Sequence, residues 1–186
     1  FGGQAGRTID TTRLCNRIAI EKDGDGLNQV TLGLMSLGAD RYYDCCTPSG
    51  MLDLASVYLI RERGVTQRPD GIASFGGLEV LVAGRSAIVG EPLFNMLKRF
   101  DATVLGPLHT RNGTGGKNDK ETQLRVYKEL SQRADIVFGC MGFHPYSVHP
   151  DTEYFFTPDM IKEGALIIDA ATSFRKAGKR PFGDVD

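Results

Sequence analysis

Two hydrophobic rhythms divide the chain. In its first part apolar residues recur at helical spacing. Leu14 and Ile18 lie four apart behind Asp10 and Thr11, either of which can cap a short helix reaching about Ala19. Leu52, Ala55, Tyr58 and Leu59 mark a second helix over about Met51–Arg63, with Thr47 suited to its N-cap and Pro48 to its first position. Gly64 is a natural stop for it. Residues 27–44 mix polar and apolar positions without a clear period.

Beyond residue 76 the rhythm changes. Four short, nearly all-apolar runs follow: Leu78–Ala83, Ala102–Leu105, Asp135–Gly139 and Ala165–Asp169. Helix-like stretches separate them, at Pro92–Phe100, Asp119–Arg133 and, for a turn or two, Thr157–Glu163. Strands of this kind are covered on both faces, which predicts a doubly wound parallel α/β sheet over residues 76–186. The connector at 65–77, with Pro69, Gly71, Gly76 and Gly77, is the predicted boundary with a first unit over 1–75.

Composition narrows the function. The 186 residues carry 22 Lys plus Arg against 23 Asp plus Glu, so nothing points to a nucleic-acid partner. No apolar run approaches the roughly 20 residues of a membrane span. The cysteines, Cys15, Cys45, Cys46 and Cys140, show neither zinc-finger spacing nor a disulfide framework and read as free intracellular thiols. His144 and His149, five apart on a loop without acids or thiols nearby, are a poor metal signature, and no metal site is expected.

Ligands of such sheets sit beyond the carboxyl ends of the strands. There the first strand runs into Gly84-Arg85-Ser86-Ala87-Ile88-Val89-Gly90-Glu91-Pro92. Gly84 permits a tight turn and Gly90 a close backbone approach, and the free N–H groups of the following helix favour an anion. Dinucleotide binding and a plain packing corner are both compatible with this spacing, since Ser86 replaces the middle glycine of the usual fingerprint. No acid lies between Asp101 and Asp119 to hold a ribose hydroxyl. His109, Thr110 and Arg111, together with Arg85, could instead hold a 2′-phosphate, which favours NADP. Asp23 and Asp25 sit between glycines, either as solvent-facing turn residues or as carboxylates aimed at a donor-rich ring.

Several motifs in register resemble the methylenetetrahydrofolate dehydrogenase/cyclohydrolase family. They are Glu21-Lys22-Asp23-Gly24-Asp25-Gly26-Leu27, Cys46-Thr47-Pro48-Ser49-Gly50, Gly84 to Pro92, Ala134-Asp135-Ile136-Val137, Ile161 to Asp169 and Gly183-Asp184-Val185-Asp186. The resemblance implies a Rossmann-like NAD(P)-binding domain beside part of an α/β folate-binding domain, with a cleft between them. It implies hydride transfer from 5,10-methylenetetrahydrofolate to NAD or NADP. Asp25 matches the aspartate that holds the pterin ring, and so becomes the expected catalytic and substrate-binding residue. Gly84, Arg85, Ser86, Ile88, Val89, His109, Thr110 and Arg111 become the expected cofactor-binding positions.

The family is usually homodimeric, and a cytoplasmic or mitochondrial location is expected. Its Tyr-x-x-x-Lys cyclohydrolase motif and its Pro-Gly-Gly-Val-Gly-Pro stretch are not in this chain, which therefore reads as the middle of a longer enzyme and leaves the cyclohydrolase open. Phe1-Gly2-Gly3-Gln4-Ala5 and Ala171-Thr172-Ser173, standing for Pro-Leu-Pro and Gly-Ile-Asn, resemble the fungal-type monofunctional NAD-dependent branch. That favours NAD, against the NADP signal above, and both stay open. A non-catalytic nucleotide- or folate-binding relative is the alternative of a different class.

Overall fold

A computed structural model describes residues 10–39, 43–106, 117–141, 155–174 and 181–185. Five helices are seen among them: α1 (Thr11–Cys15), α2 (Gln29–Leu37), α3 (Cys46–Arg63), α4 (Gly90–Arg99) and α5 (Lys117–Ser131). The strands are β1 (Glu79–Ala83), β2 (Thr103–Leu105), β3 (Ile136–Gly139), β4 (Leu166–Asp169), β5 (Ser173–Phe174) and β6 (Pro181–Phe182). The first four form a parallel sheet in the order β2-β1-β3-β4, and β5 and β6 pair as a small antiparallel ribbon. The chain leaves β1 to one side for β2 and returns to the other for β3. The order therefore reverses at β1/β3, the crevice where doubly wound sheets take ligands.

Side-chain alternation divides the core into two layers. Val80, Val82, Ile136 and Phe138 face α3 and α4 and join Met35, Leu52, Leu59, Leu93 and Leu97. Leu81, Ala83 and Val137 face the other way, onto Tyr127, Phe155, Phe156 and Met160. The predicted doubly wound sheet is thus observed, covered on both faces. The first layer runs without a break from α2 and α3 to the sheet, across the expected boundary at residue 76.

Local departures have local causes. Asp10 does cap α1, accepting from the Arg13 N–H at 3.0 Å, but the helix ends at Cys15 and not near Ala19. Leu14 and Ile18 are 55% and 40% exposed, so no packing extends it. Helix α3 starts at Cys46, ahead of the predicted Thr47 cap, with Cys45 as an N-cap whose side chain does not hydrogen-bond the first turn. Pro48 is still in the first turn, where its missing N–H costs nothing. Gly64 closes the helix in the left-handed conformation, as expected.

The motif around Asp135 sits at the opposite end of the sheet from the crevice. Its Oδ2 accepts from the Glu79 N–H at 2.9 Å and its Oδ1 from Lys162 Nζ at 2.6 Å, tying the starts of β1, β3 and β4. The Lys162 ammonium, more than any other neighbour, holds the Asp135 carboxyl below its usual range. This stabilisation is present above about pH 4 and fades as pH falls through the lowered value. Asp135→Ala, which strands the Glu79 N–H, should lose about 1–3 kcal/mol in urea denaturation. Asp135→Asn should lose less, and the loss of both variants relative to wild type should shrink below about pH 4 as the wild-type carboxyl protonates.

Candidate functional site

The turn after β1 is wound as tightly as backbone allows. Gly84 has φ +125°, and a Cβ there would lie 2.6 Å from the Cys140 carbonyl oxygen. A Cβ on Gly90 would lie 2.1 Å from the Gly84 carbonyl oxygen and 2.8 Å from the Arg85 Cα. Both glycines are therefore required by close backbone contact, and between them the turn projects into solvent. Arg85, Ser86, Ala87 and Ile88 are exposed, and Val89 is half-buried.

The donors of this turn are not those expected. Ser86 Oγ accepts from the N–H groups of Val89 at 3.1 Å and Gly90 at 3.4 Å, and the Ser86 carbonyl accepts from Glu91 at 3.0 Å. Pro92 has no N–H to give. Ser86 thus consumes the helix donors that the sequence reading assigned to an anion. Its hydroxyl substitutes for the capping residue that Val89 is not. The N–H groups of Arg85, Ser86, Ala87 and Ile88 make no hydrogen bond among the described residues, and the Arg85 side chain is exposed beside them. This set of loop donors, one guanidinium and the positive end of α4 suits a phosphate. His109, Thr110 and Arg111, and also His144 and His149, lie outside the described residues.

The acidic turn separates two carboxylates by role. Asp23 is 2% exposed and accepts from the N–H groups of Leu27 at 3.0 Å and Asn28 at 2.9 Å. Burial alone would raise its pKa, but the Thr31 hydroxyl and the N–H groups of Asn28, Leu27 and Gly26 outweigh it, and the net shift is downward. Asp25 is exposed at the tip, where its Oδ1 accepts from the Cys46 thiol at 3.3 Å. That contact, ahead of slight burial and the Asp25 charge, pushes the Cys46 thiol up. Cys45 donates its thiol to the Gly26 carbonyl at 3.1 Å, and burial first of all raises its pKa to about 11. All four cysteines are free.

The Asp25 turn leads into α2 and the Gly84–Gly90 turn into α4, and these helices pack on each other. Their carboxyl ends meet where Gly38 lies against Arg99. At the carboxyl ends of β3 and β4 the structure adds two carboxylates that the sequence reading did not single out. Asp169 accepts at Oδ1 from Ala171 and at Oδ2 from Asp184 and Val185. Asp184, 2% exposed, accepts from the Met141 N–H at 2.9 Å. Gly139 and Gly183 leave room for Asp169, since a Cβ on either would crowd its carboxylate. The glycine and aspartate of the Gly183-Asp184 motif were the available signal.

Comparison with known proteins agrees with this fold. The family model described as tetrahydrofolate dehydrogenase/cyclohydrolase, NAD(P)-binding domain matches residues 45–186. The chain belongs to that family. Its matched domain starts at Cys45 and so takes in α3, consistent with the shared core of α3 and the sheet. The bifunctional protein FolD of Caldicellulosiruptor saccharolyticus is 32% identical over 180 residues, covering 96% of this chain and 52% of that protein. FolD of Pyrobaculum aerophilum is 35% identical over 181 residues, covering 96% and 49%. The crystal structure of the Trypanosoma brucei dehydrogenase-cyclohydrolase, complexed with NADP and an inhibitor, superposes with TM-score 0.69 at 27% identity, covering 95% of this chain and 50% of that one. The chain thus spans about half the length of these family members. No helix among the described residues is long and apolar enough to cross a membrane.

Proposed function

We propose that the protein is a methylenetetrahydrofolate dehydrogenase, transferring a hydride from 5,10-methylenetetrahydrofolate to NAD or NADP to give 5,10-methenyltetrahydrofolate. The observation that carries the reading is the pairing of two turns on adjoining helices. One carries an exposed carboxylate, Asp25, and the other a glycine-bounded loop with Arg85 and with N–H groups that make no hydrogen bond among the described residues. Asp25 offers two acceptor oxygens to the paired N–H donors of a pterin edge. The Arg85–Ile88 loop and the α4 dipole hold the cofactor phosphates. When bound, the nicotinamide supplies the hydride acceptor. The chain's own residues align the two ligands and keep water from between them.

The test is the growth of reduced-nicotinamide absorbance when the complete protein is given methylenetetrahydrofolate with NAD or with NADP. Turnover with at least one is expected, and turnover with neither overturns the reading. The relative activity of the two cofactors decides between NAD and NADP. A second reading, that the same protein also hydrolyses the methenyl product, is favoured by the bifunctional FolD relatives. Decay of methenyltetrahydrofolate absorbance above the buffer rate would establish it.

A further inference from the structure

We propose that Asp184 is a positioning residue for the cofactor, acting through the peptide that joins Cys140 to Met141. The inference rests on the dehydrogenase reading above. One peptide unit links the two ends of the argument. Its carbonyl is the surface on which Gly84 lies, close enough that a Cβ at Gly84 would fall 2.6 Å from the oxygen and 2.8 Å from the carbon. Its N–H, that of Met141, is the group the buried Asp184 carboxylate accepts from at 2.9 Å. A rotation of this peptide would therefore press into the first residue of the cofactor turn. Asp184 prevents that rotation from beneath.

Asp184 is itself anchored from several directions. Its N–H donates to Asp169 Oδ2 at 2.7 Å, and its carbonyl accepts from Phe155 and Phe156, each at 2.8 Å. The bond to Met141 is charge-assisted and lies in a low-dielectric setting, so it holds its donor firmly. Burial first, then the Asp184 and Asp169 carboxylates, raise the neighbouring Cys140 thiol to about 12, so Cys140 stays a thiol. That thiol donates to the Ala83 carbonyl at 3.0 Å, and the Cys140 N–H donates to the same oxygen at 2.9 Å, pinning the near side of the peptide to β1. At 2% exposure Asp184 is too buried to meet the cofactor directly, and its influence passes through the peptide.

The experiment measures the KM for the cofactor and the KM for methylenetetrahydrofolate in the complete protein, for wild type, Asp184→Asn and Asp184→Ala. Asn can still accept from Met141 through its amide oxygen, and Ala cannot. The cofactor KM should rise about tenfold in Asp184→Ala and about threefold in Asp184→Asn, with the folate KM unchanged. A purely structural role would lower the folded fraction, and hence the apparent kcat, and leave both KM values in place. An unchanged cofactor KM in either folded variant, or a parallel rise in the folate KM, overturns the inference. If Asp184→Ala does not fold, Asp184→Asn decides alone. Titration calorimetry with NAD and NADP gives the same comparison without turnover. An inactive wild type would thus end the dehydrogenase reading, while cofactor affinity indifferent to position 184 would end only this one.

Discussion

Gly90→Ala should weaken cofactor binding severely while the rest of the sheet stays folded. A methyl at this position would lie 2.1 Å from the Gly84 carbonyl oxygen, 2.5 Å from its carbon and 2.8 Å from the Arg85 Cα. All three are backbone atoms, so no rotamer change relieves the overlap, and the two arms of the turn must separate. Separation breaks the Ser86 contacts to Val89 and Gly90 and tilts the Arg85–Ile88 donors away from their common target. Misplacement of binding groups by an ångström costs about a hundredfold. The expected rise in the dissociation constant for NAD or NADP is therefore at least about a hundredfold by calorimetry. The overpacking itself should cost about 1–3 kcal/mol in denaturation. Binding within a few-fold of wild type would show that the turn takes no part in holding the cofactor.

The second large effect distinguishes neighbouring aspartates. Asp25→Ala should reduce turnover about a hundredfold or more with little change in melting temperature, because Asp25 is exposed and among the described residues it bonds only the Cys46 thiol. Asp23→Ala should do the reverse at first sight, lowering stability by about 1–3 kcal/mol as the Leu27 and buried Asn28 N–H groups lose their acceptor. Its effect also has a pH signature. The folded-state carboxyl is held below its free value, so its contribution is complete above about pH 4 and fades as pH falls through the lowered pKa. The pair is checked by measuring kcat, KM and urea midpoints for both variants. Unchanged kinetics in Asp25→Ala would remove it from the site.

A buried group offers a contrasting expectation. The Tyr127 hydroxyl is buried without a hydrogen-bond partner among the described residues, and burial, ahead of the Cys140 and Asp184 charges, raises its pKa. Tyr127→Phe removes a desolvated group that gains nothing from its surroundings. Stability should hold or rise by about 1 kcal/mol, and a clear loss in denaturation would reveal a missed partner.

The sheet was legible because buried parallel strands leave uninterrupted apolar runs, and β1 to β4 begin and end within a residue of those runs. Helix α2 was not, although Asn28 caps it and Gly38 stops it in the left-handed conformation. Its apolar residues Val30, Leu32, Leu34, Met35 and Leu37 ring the helix, and Val30 and Leu37 are more than half exposed, so no period emerges. Of the site, the glycines of the β1–α4 turn were readable from spacing. The capping by Ser86 was not, since a serine in place of a glycine looks like a simple substitution until its Oγ is located. Asp169 and Asp184 were hidden for another reason. They lie 15 residues apart and come together only on folding, through hydrogen bonds to main-chain groups that leave no mark on composition.

Helices α2 and α4 pack on each other and are close at their carboxyl ends, where Gly38 lies against Arg99. With nine and ten residues, each carries its working turn about 14–15 Å from that shared end. Lengthening either helix by one residue would slide its turn by about 1.5 Å along the helix axis and change the gauge between carboxylate and phosphate cradle without altering the residues of either.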